Sequence, residues 1–137
     1  MEITLSALAN IASATALFIM IYQILEARRE ARTSFEDDLA KEYRELASKI
    51  PIKAFFSENL SDKDYADHLD EMYRYFDLCN HQAFLAKSKR ISPETWEFWK
   101  DGITSNMKRP AFEKAWSEIA ARSSGDFSEL RAIVPPT

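Results

Sequence analysis

The sequence predicts an all-α protein, with one N-terminal transmembrane helix that continues into a juxtamembrane helix and then a small cytosolic helical bundle. The chain has 18 Ala against one Val and only two Gly, a composition that favours helix over sheet. Residues 3–25 contain no charge, whereas 39 of the 112 residues from Glu26 onward are charged. We therefore divide the chain into an anchor (1–25), a juxtamembrane helix (26–50) and a bundle (51–137).

The anchor is predicted from its length and composition. Seventeen of the 23 residues in 3–25 are apolar, and a helix of that length measures about 35 Å, enough for ~30 Å of hydrocarbon. A cleaved signal peptide would carry a basic segment before the apolar run, where this chain has Glu2. An interfacial helix would need a charged face. A helix buried in an oligomeric soluble core is the alternative that stays open.

The residues flanking the anchor predict its orientation. Arg28, Arg29 and Arg32 follow the apolar run, and basic residues favour the cytoplasmic side of a span. The N-terminus is therefore expected outside the membrane and the remaining residues in the cytoplasm. A single cysteine, Cys79, fits a reducing compartment and excludes an internal disulfide framework.

Small and polar residues recur at spacings of three and four along the anchor. Such a stripe lets two helix backbones approach closely, and a buried amide seeks a partner across the interface. The alternative is that these residues are tolerated without a role. The predicted transmembrane interface comprises Ser6, Ala9, Asn10, Ser13 and Ala16.

The juxtamembrane and bundle helices follow from apolar stripes and start and stop signals. Residues 26–50 form an amphipathic helix that Pro51 ends, with a new start allowed at Thr33 or Ser34. Four bundle helices are expected. The first begins at Ser61 and extends to about Lys89, the second begins at Ser92-Pro93, the third begins at Pro110, and the fourth begins after a cap at Asp126.

The sequence shows no assembled catalytic or metal site. With only two glycines, a glycine-rich phosphate loop is excluded. His68 and His81 each follow an aspartate by four residues, which fits local Asp–His hydrogen bonds better than a metal site. Cys79 lies on an apolar stripe and is interpreted as a buried small hydrophobe. We therefore expect no enzymatic activity and no cofactor.

Charge is uneven within the bundle. Residues 81–122 carry eight bases and five acids, although the whole chain has a net charge of −4. A nucleic-acid polymer is thus not an expected partner. The excess of bases in this segment instead predicts a patch that binds a small anion or an acidic partner. The alternative is that these bases form an ordinary solvated surface. The residues of this predicted patch are Lys87, Lys89, Arg90, Lys108, Arg109 and Lys114.

Three segments carry a resemblance to a known group of proteins. Residues 75–85 (YFDLCNHQAFL), 90–96 (RISPETW) and 109–112 (RPAF) resemble small bacterial proteins of unknown function that have an N-terminal membrane helix and a helical cytosolic domain. The resemblance covers about residues 70–119. It implies a bacterial origin, and hence the inner membrane, and it supplies no catalytic residue.

These observations lead to two expected functions. The first is a non-enzymatic single-pass membrane protein whose cytosolic helices bind protein partners, as an accessory or assembly subunit or as a homo-oligomeric scaffold. Its expected partners are membrane lipid and either a second copy or another membrane protein. The alternative is a membrane-tethered signalling or defence effector that binds a nucleotide-like anion through residues 87–114.

Overall fold

A computed structural model describes residues 4–137, and all regular structure within them is helical, as predicted. The chain divides into two compact units, the first ending at Phe35 and the second comprising Glu36–Thr137, which we call the helical domain. The helices are α1 (Leu5–Ala47), α2 (Ile52–Phe55), α3 (Asp62–Asp67), α4 (Leu69–Lys87), α5 (Pro93–Met107), α6 (Pro110–Arg122) and α7 (Ser128–Ile133).

Helix α1 includes residues 5–25 of the uncharged run. Among residues 4–137 it is the one helix long and apolar enough to cross a membrane, and none of its most apolar 18-residue window is buried. The helix continues through the suggested restart: the Thr33 hydroxyl donates to the Arg29 carbonyl at 3.1 Å, a bond typical of threonine inside a helix. The apolar helix is thus established, and its placement in a membrane belongs to the proposal below.

Local capping signals explain where two helices of the helical domain begin. The Ser61 hydroxyl accepts from the Asp64 amide at 3.1 Å, and the Ser92 hydroxyl accepts from the Thr95 amide at 3.3 Å. Each bond satisfies an amide that lacks a partner in the first turn of a helix. Proline stands at the first position of α5 and again of α6, where its missing N–H costs nothing.

The helix predicted from Ser61 to Lys89 is two helices in the structure, because α3 ends at Asp67 and α4 begins at Leu69. His68 between them leaves helical geometry, with φ −117° and ψ 11°. Its ring Nδ1 donates to the Asp64 carbonyl at 2.8 Å, so the side chain bonds locally to the backbone of the preceding turn. This local bond accompanies the break.

The core of the helical domain surrounds α4, which packs against α5, α6 and α7. The apolar stripes predicted for α4, α6 and the last turns of α1 supply most of this core. Its aromatic rings meet edge to face: Phe112 lies 5.1 Å from Tyr75, and Trp116 lies 5.3 Å from Phe76 and 5.6 Å from Phe127 between ring centres. Offset and edge-on contacts of this kind are the favoured geometry for aromatic pairs.

The cap predicted for the last helix was wrong. The residue that precedes α7 is Phe127, in the left-handed conformation with φ 59°, and not Asp126. The first amides of α7 are satisfied from another helix, because Asn80 Oδ1 accepts from the backbone amides of Glu129 at 3.1 Å and Leu130 at 3.0 Å. The side chain of Asn80 on α4 therefore caps α7 in place of a residue next to it in the sequence.

Candidate functional site

The six bases of the predicted anion patch differ in their surroundings. Lys87 Nζ lies 3.5 Å from Glu129 Oε1, and Lys114 Nζ lies 4.1 Å from the centre of the Tyr65 ring. These contacts draw two of the positive charges towards groups of the chain itself. Five of the six bases are exposed, and Arg109 alone is half-buried. Anion binding through this patch stays a prediction.

Arg109, the sixth base, takes part in hydrogen bonds within the helical domain. Its Nε donates to Asn106 Oδ1 at 3.1 Å, and its Nη1 donates to the Phe55 carbonyl and, at 3.1 Å, to Ser57 Oγ. The guanidinium therefore ties the end of α5 to the end of α2. Because its donors form a rigid fork, the donors used here are not free to bind an anion.

Asn106 extends this network into the core. Its Nδ2 donates to the hydroxyl oxygens of Tyr43 at 3.1 Å and Tyr75 at 2.9 Å. Burial raises the pKa of Tyr75 well above its usual range, so this hydroxyl stays protonated. Our sequence analysis missed Asn106, although its position beside Met107 on the buried face of α5 was a signal: a polar residue on such a face needs a partner.

The residues considered for catalysis or metal binding differ in exposure, because Cys79 lies in the core whereas His81 and Asp77 lie at the surface. Cys79 is fully buried, and burial raises the pKa of its thiol to about 12, so the reactive thiolate is scarce at neutral pH. His81 and Asp77 are exposed and line a polar surface cleft of 330 Å³. Among residues 4–137, no group of three His, Cys, Asp or Glu side chains is arranged to hold a metal ion.

The predicted transmembrane interface lies on the first half of α1. Its five residues are exposed within the described chain, so any partner of this stripe has to come from outside it. The residues concerned are Ser6, Ala9, Asn10, Ser13 and Ala16. Their role in helix pairing stays a prediction.

A second cleft, which the sequence did not reveal, opens in the helical domain between α4, α5 and the last turns of α1. Its volume is 570 Å³, and aromatic rings from Tyr43, Phe98 and Trp99 supply much of its lining. The exposed fraction of Phe98 is 77%, a high value for a large apolar side chain. Gly102 and Gln82 contribute to the same lining.

Gln82 is the unusual residue of this cleft. The exposed fraction of its side chain is only 2%, yet no protein group donates a hydrogen bond to its Oε1. Buried amide oxygens nearly always have a donor, so Gln82 Oε1 is an unsatisfied acceptor in the wall of the cleft. Sequence reasoning missed Gln82, although its position three residues after Cys79 and next to Ala83 on the buried face of α4 was a signal.

We compared the chain with models of protein families, with curated proteins and with solved structures. None of the three comparisons found a match. The resemblance to small bacterial membrane proteins therefore rests on the three sequence segments quoted above.

Proposed function

We propose that this chain is a non-enzymatic, single-pass protein of the bacterial inner membrane whose helical domain binds protein partners. One observation carries the proposal: the most apolar stretch of α1 is entirely exposed, while Glu36–Thr137 has a core of its own. An exposed uncharged helix of this length is costly in water and favourable in lipid. A self-contained domain next to it in the chain is free to make contacts beyond the bilayer.

The surface of the helical domain also supports a binding role. Ile52 on α2 and Phe56 just after it have exposed fractions of 64% and 63%, and they are one helical turn apart. Exposed apolar side chains grouped in this way are typical of protein–protein contacts. The partner is then a subunit of a membrane assembly or a second copy of the chain.

Cysteine labelling tests the span and its orientation. With the N-terminus outside, Thr4→Cys is expected to react with a membrane-impermeant maleimide in intact cells, and Ser124→Cys only after lysis. Native Cys79 gives little background because it is buried and its pKa is raised to about 12. The opposite pattern would contradict the orientation, and labelling of both positions in intact cells would contradict the span.

Disulfide trapping tests pairing of the anchors. Ser13→Cys places a thiol on the predicted stripe, and Ala14→Cys places one about 100° around the same helix as a matched control. Under mild oxidation in native membranes we expect a disulfide-linked dimer of Ser13→Cys in several-fold excess over Ala14→Cys, because only the stripe allows close approach. Equal trapping at both positions would contradict the interface, and no dimer at either would contradict a homo-oligomeric scaffold.

A further inference from the structure

We propose that the cleft between α4, α5 and the last turns of α1 binds a small, planar, neutral molecule. This molecule has a mostly apolar surface and one N–H or O–H group that donates to Gln82 Oε1. The site is distinct from the protein contacts of the proposed function, and nothing in it depends on how the anchor pairs.

The amide of Gln82 is an unsatisfied group in the wall of the cleft. Its side chain is 2% exposed and lines the cleft, and its Oε1 receives no hydrogen bond from the protein. A buried polar atom without a partner is costly, and an apolar side chain of the same length would avoid that cost. The oxygen has almost no accessible surface in this structure, so the terminal amide has to turn about its last bond to present it to the cleft. The amide is therefore better explained as a group that turns to receive a donor from an occupant of the cleft.

Gly102 lies inside helix α5 and lines the same cleft. Glycine is unfavourable within a helix compared with alanine. No contact inside the chain requires it, because a Cβ at this position would meet nothing within 4 Å, and its backbone is not left-handed. The missing side chain instead keeps the cleft open, which favours an occupant that fills this space.

The size of the cleft and the residues that line it indicate the kind of molecule it would bind. A volume of 570 Å³ is typical of sites for small molecules. Tyr43, Phe98 and Trp99 provide aromatic surface, which favours a planar apolar ligand. Arg44 and Asp101 are the charged residues of the lining, and their charges are opposite. The balance favours a neutral molecule over an anion or a cation.

Indole and 1-benzothiophene are suitable probes, because they share a planar bicyclic shape and only indole has an N–H. We would titrate each into the full-length chain in lipid nanodiscs, labelled with ¹⁵N at glycine and at the glutamine side chains. The chain has two glycines, Gly102 and Gly125, and two glutamines, Gln23 and Gln82. Saturable shifts are expected for Gly102 and Gln82. Gly125 serves as the remote reference, and Gln23 reports partition of the probe into lipid.

Two variants distinguish the contribution of the Gln82 hydrogen bond to binding from that of the open volume beside Gly102. Gln82→Met keeps the length of the side chain and removes the amide, so the preference for indole over 1-benzothiophene should fall about five- to tenfold, with Gly102 as the reporter. Gln23→Met is the matched control and should leave that ratio unchanged. Gly102→Leu should abolish saturable binding of both probes, with the Gln82 side chain as the reporter.

The position of the Gly125 signal shows whether each variant keeps its fold, so loss of binding is not confused with unfolding. The proposal is overturned if neither probe saturates the wild-type chain. It is also overturned if folded Gln82→Met keeps the wild-type preference for indole, or if folded Gly102→Leu still binds both probes.

Discussion

Phe112→Ala is expected to lower the free energy of unfolding of the helical domain by about 3–5 kcal/mol. Phe112 has no exposed surface and lies at the centre of the aromatic core, 5.1 Å from the Tyr75 ring and 5.2 Å from the Phe55 ring between ring centres. Removing the ring forfeits its burial and leaves a cavity that the neighbouring rings fill only in part. Domains of this size have only about 5–15 kcal/mol of stability, so the loss is a large fraction of the total.

Denaturant unfolding of the full-length chain in micelles, followed by tryptophan fluorescence, measures this loss. Trp116 belongs to the same aromatic cluster and reports its opening. Phe56→Ala is the matched control, since Phe56 is 63% exposed and its truncation should change the free energy of unfolding by less than about 0.5 kcal/mol. A loss below about 1 kcal/mol for Phe112→Ala would contradict the central position of this ring.

The parts of the fold that the sequence predicts are those governed by local spacing. Ser61 and Ser92 each accept a hydrogen bond from an amide three residues further along the chain, so the two partners are close in sequence as well as in space. Phe112, Ala115, Trp116 and Ile119 recur at helical spacing in the sequence, which predicts one apolar face, and all four are buried because a helix with such a face has to cover it.

Contacts between distant residues are not predictable in this way. Glu36 accepts from the Ser92 amide at 2.6 Å and from the Thr95 hydroxyl at 3.0 Å, so the start of α5 is capped by a residue 56 positions earlier. Asn80 caps α7 from α4 in the same manner. The sequence around Glu36 or Asn80 does not indicate which helix start it caps, because tertiary packing brings each side chain to its partner.

The candidate site was harder to predict than the fold for a related reason. Charge alone placed Arg109 in an anion patch, but the structure shows donors of this side chain bonded to Asn106, Phe55 and Ser57. The better signal was a polar residue at a core position, which applies to Asn106 and to Gln82. The sequence shows such residues but does not show whether each has a hydrogen-bond partner. Asn106 has partners and belongs to a structural network, whereas Gln82 Oε1 has none and lies beside an open cleft.

Asn106→Ala is expected to destabilise the helical domain by about 2–4 kcal/mol, more than an ordinary polar truncation. The Asn106 side chain is almost fully buried, with 7% of its surface exposed. It donates to Tyr43 and Tyr75 and accepts from Arg109, so its removal breaks three hydrogen bonds at once. The fully buried Tyr75 hydroxyl then loses its donor in a place that water does not readily reach.

A double-mutant cycle with Tyr75→Phe shows whether the effect comes from this network. Tyr75→Phe alone should cost about 1 kcal/mol, because it removes one hydroxyl and keeps the ring packing. If the network acts as a unit, Asn106→Ala should cost less in the Tyr75→Phe background, with a coupling energy of about 0.5–3 kcal/mol. Asn59→Ala, the same change at an exposed asparagine, should have almost no effect on the unfolding midpoint. Additive losses in the cycle would contradict a contribution from the Asn106–Tyr75 hydrogen bond, since that bond is the interaction that the two variants share.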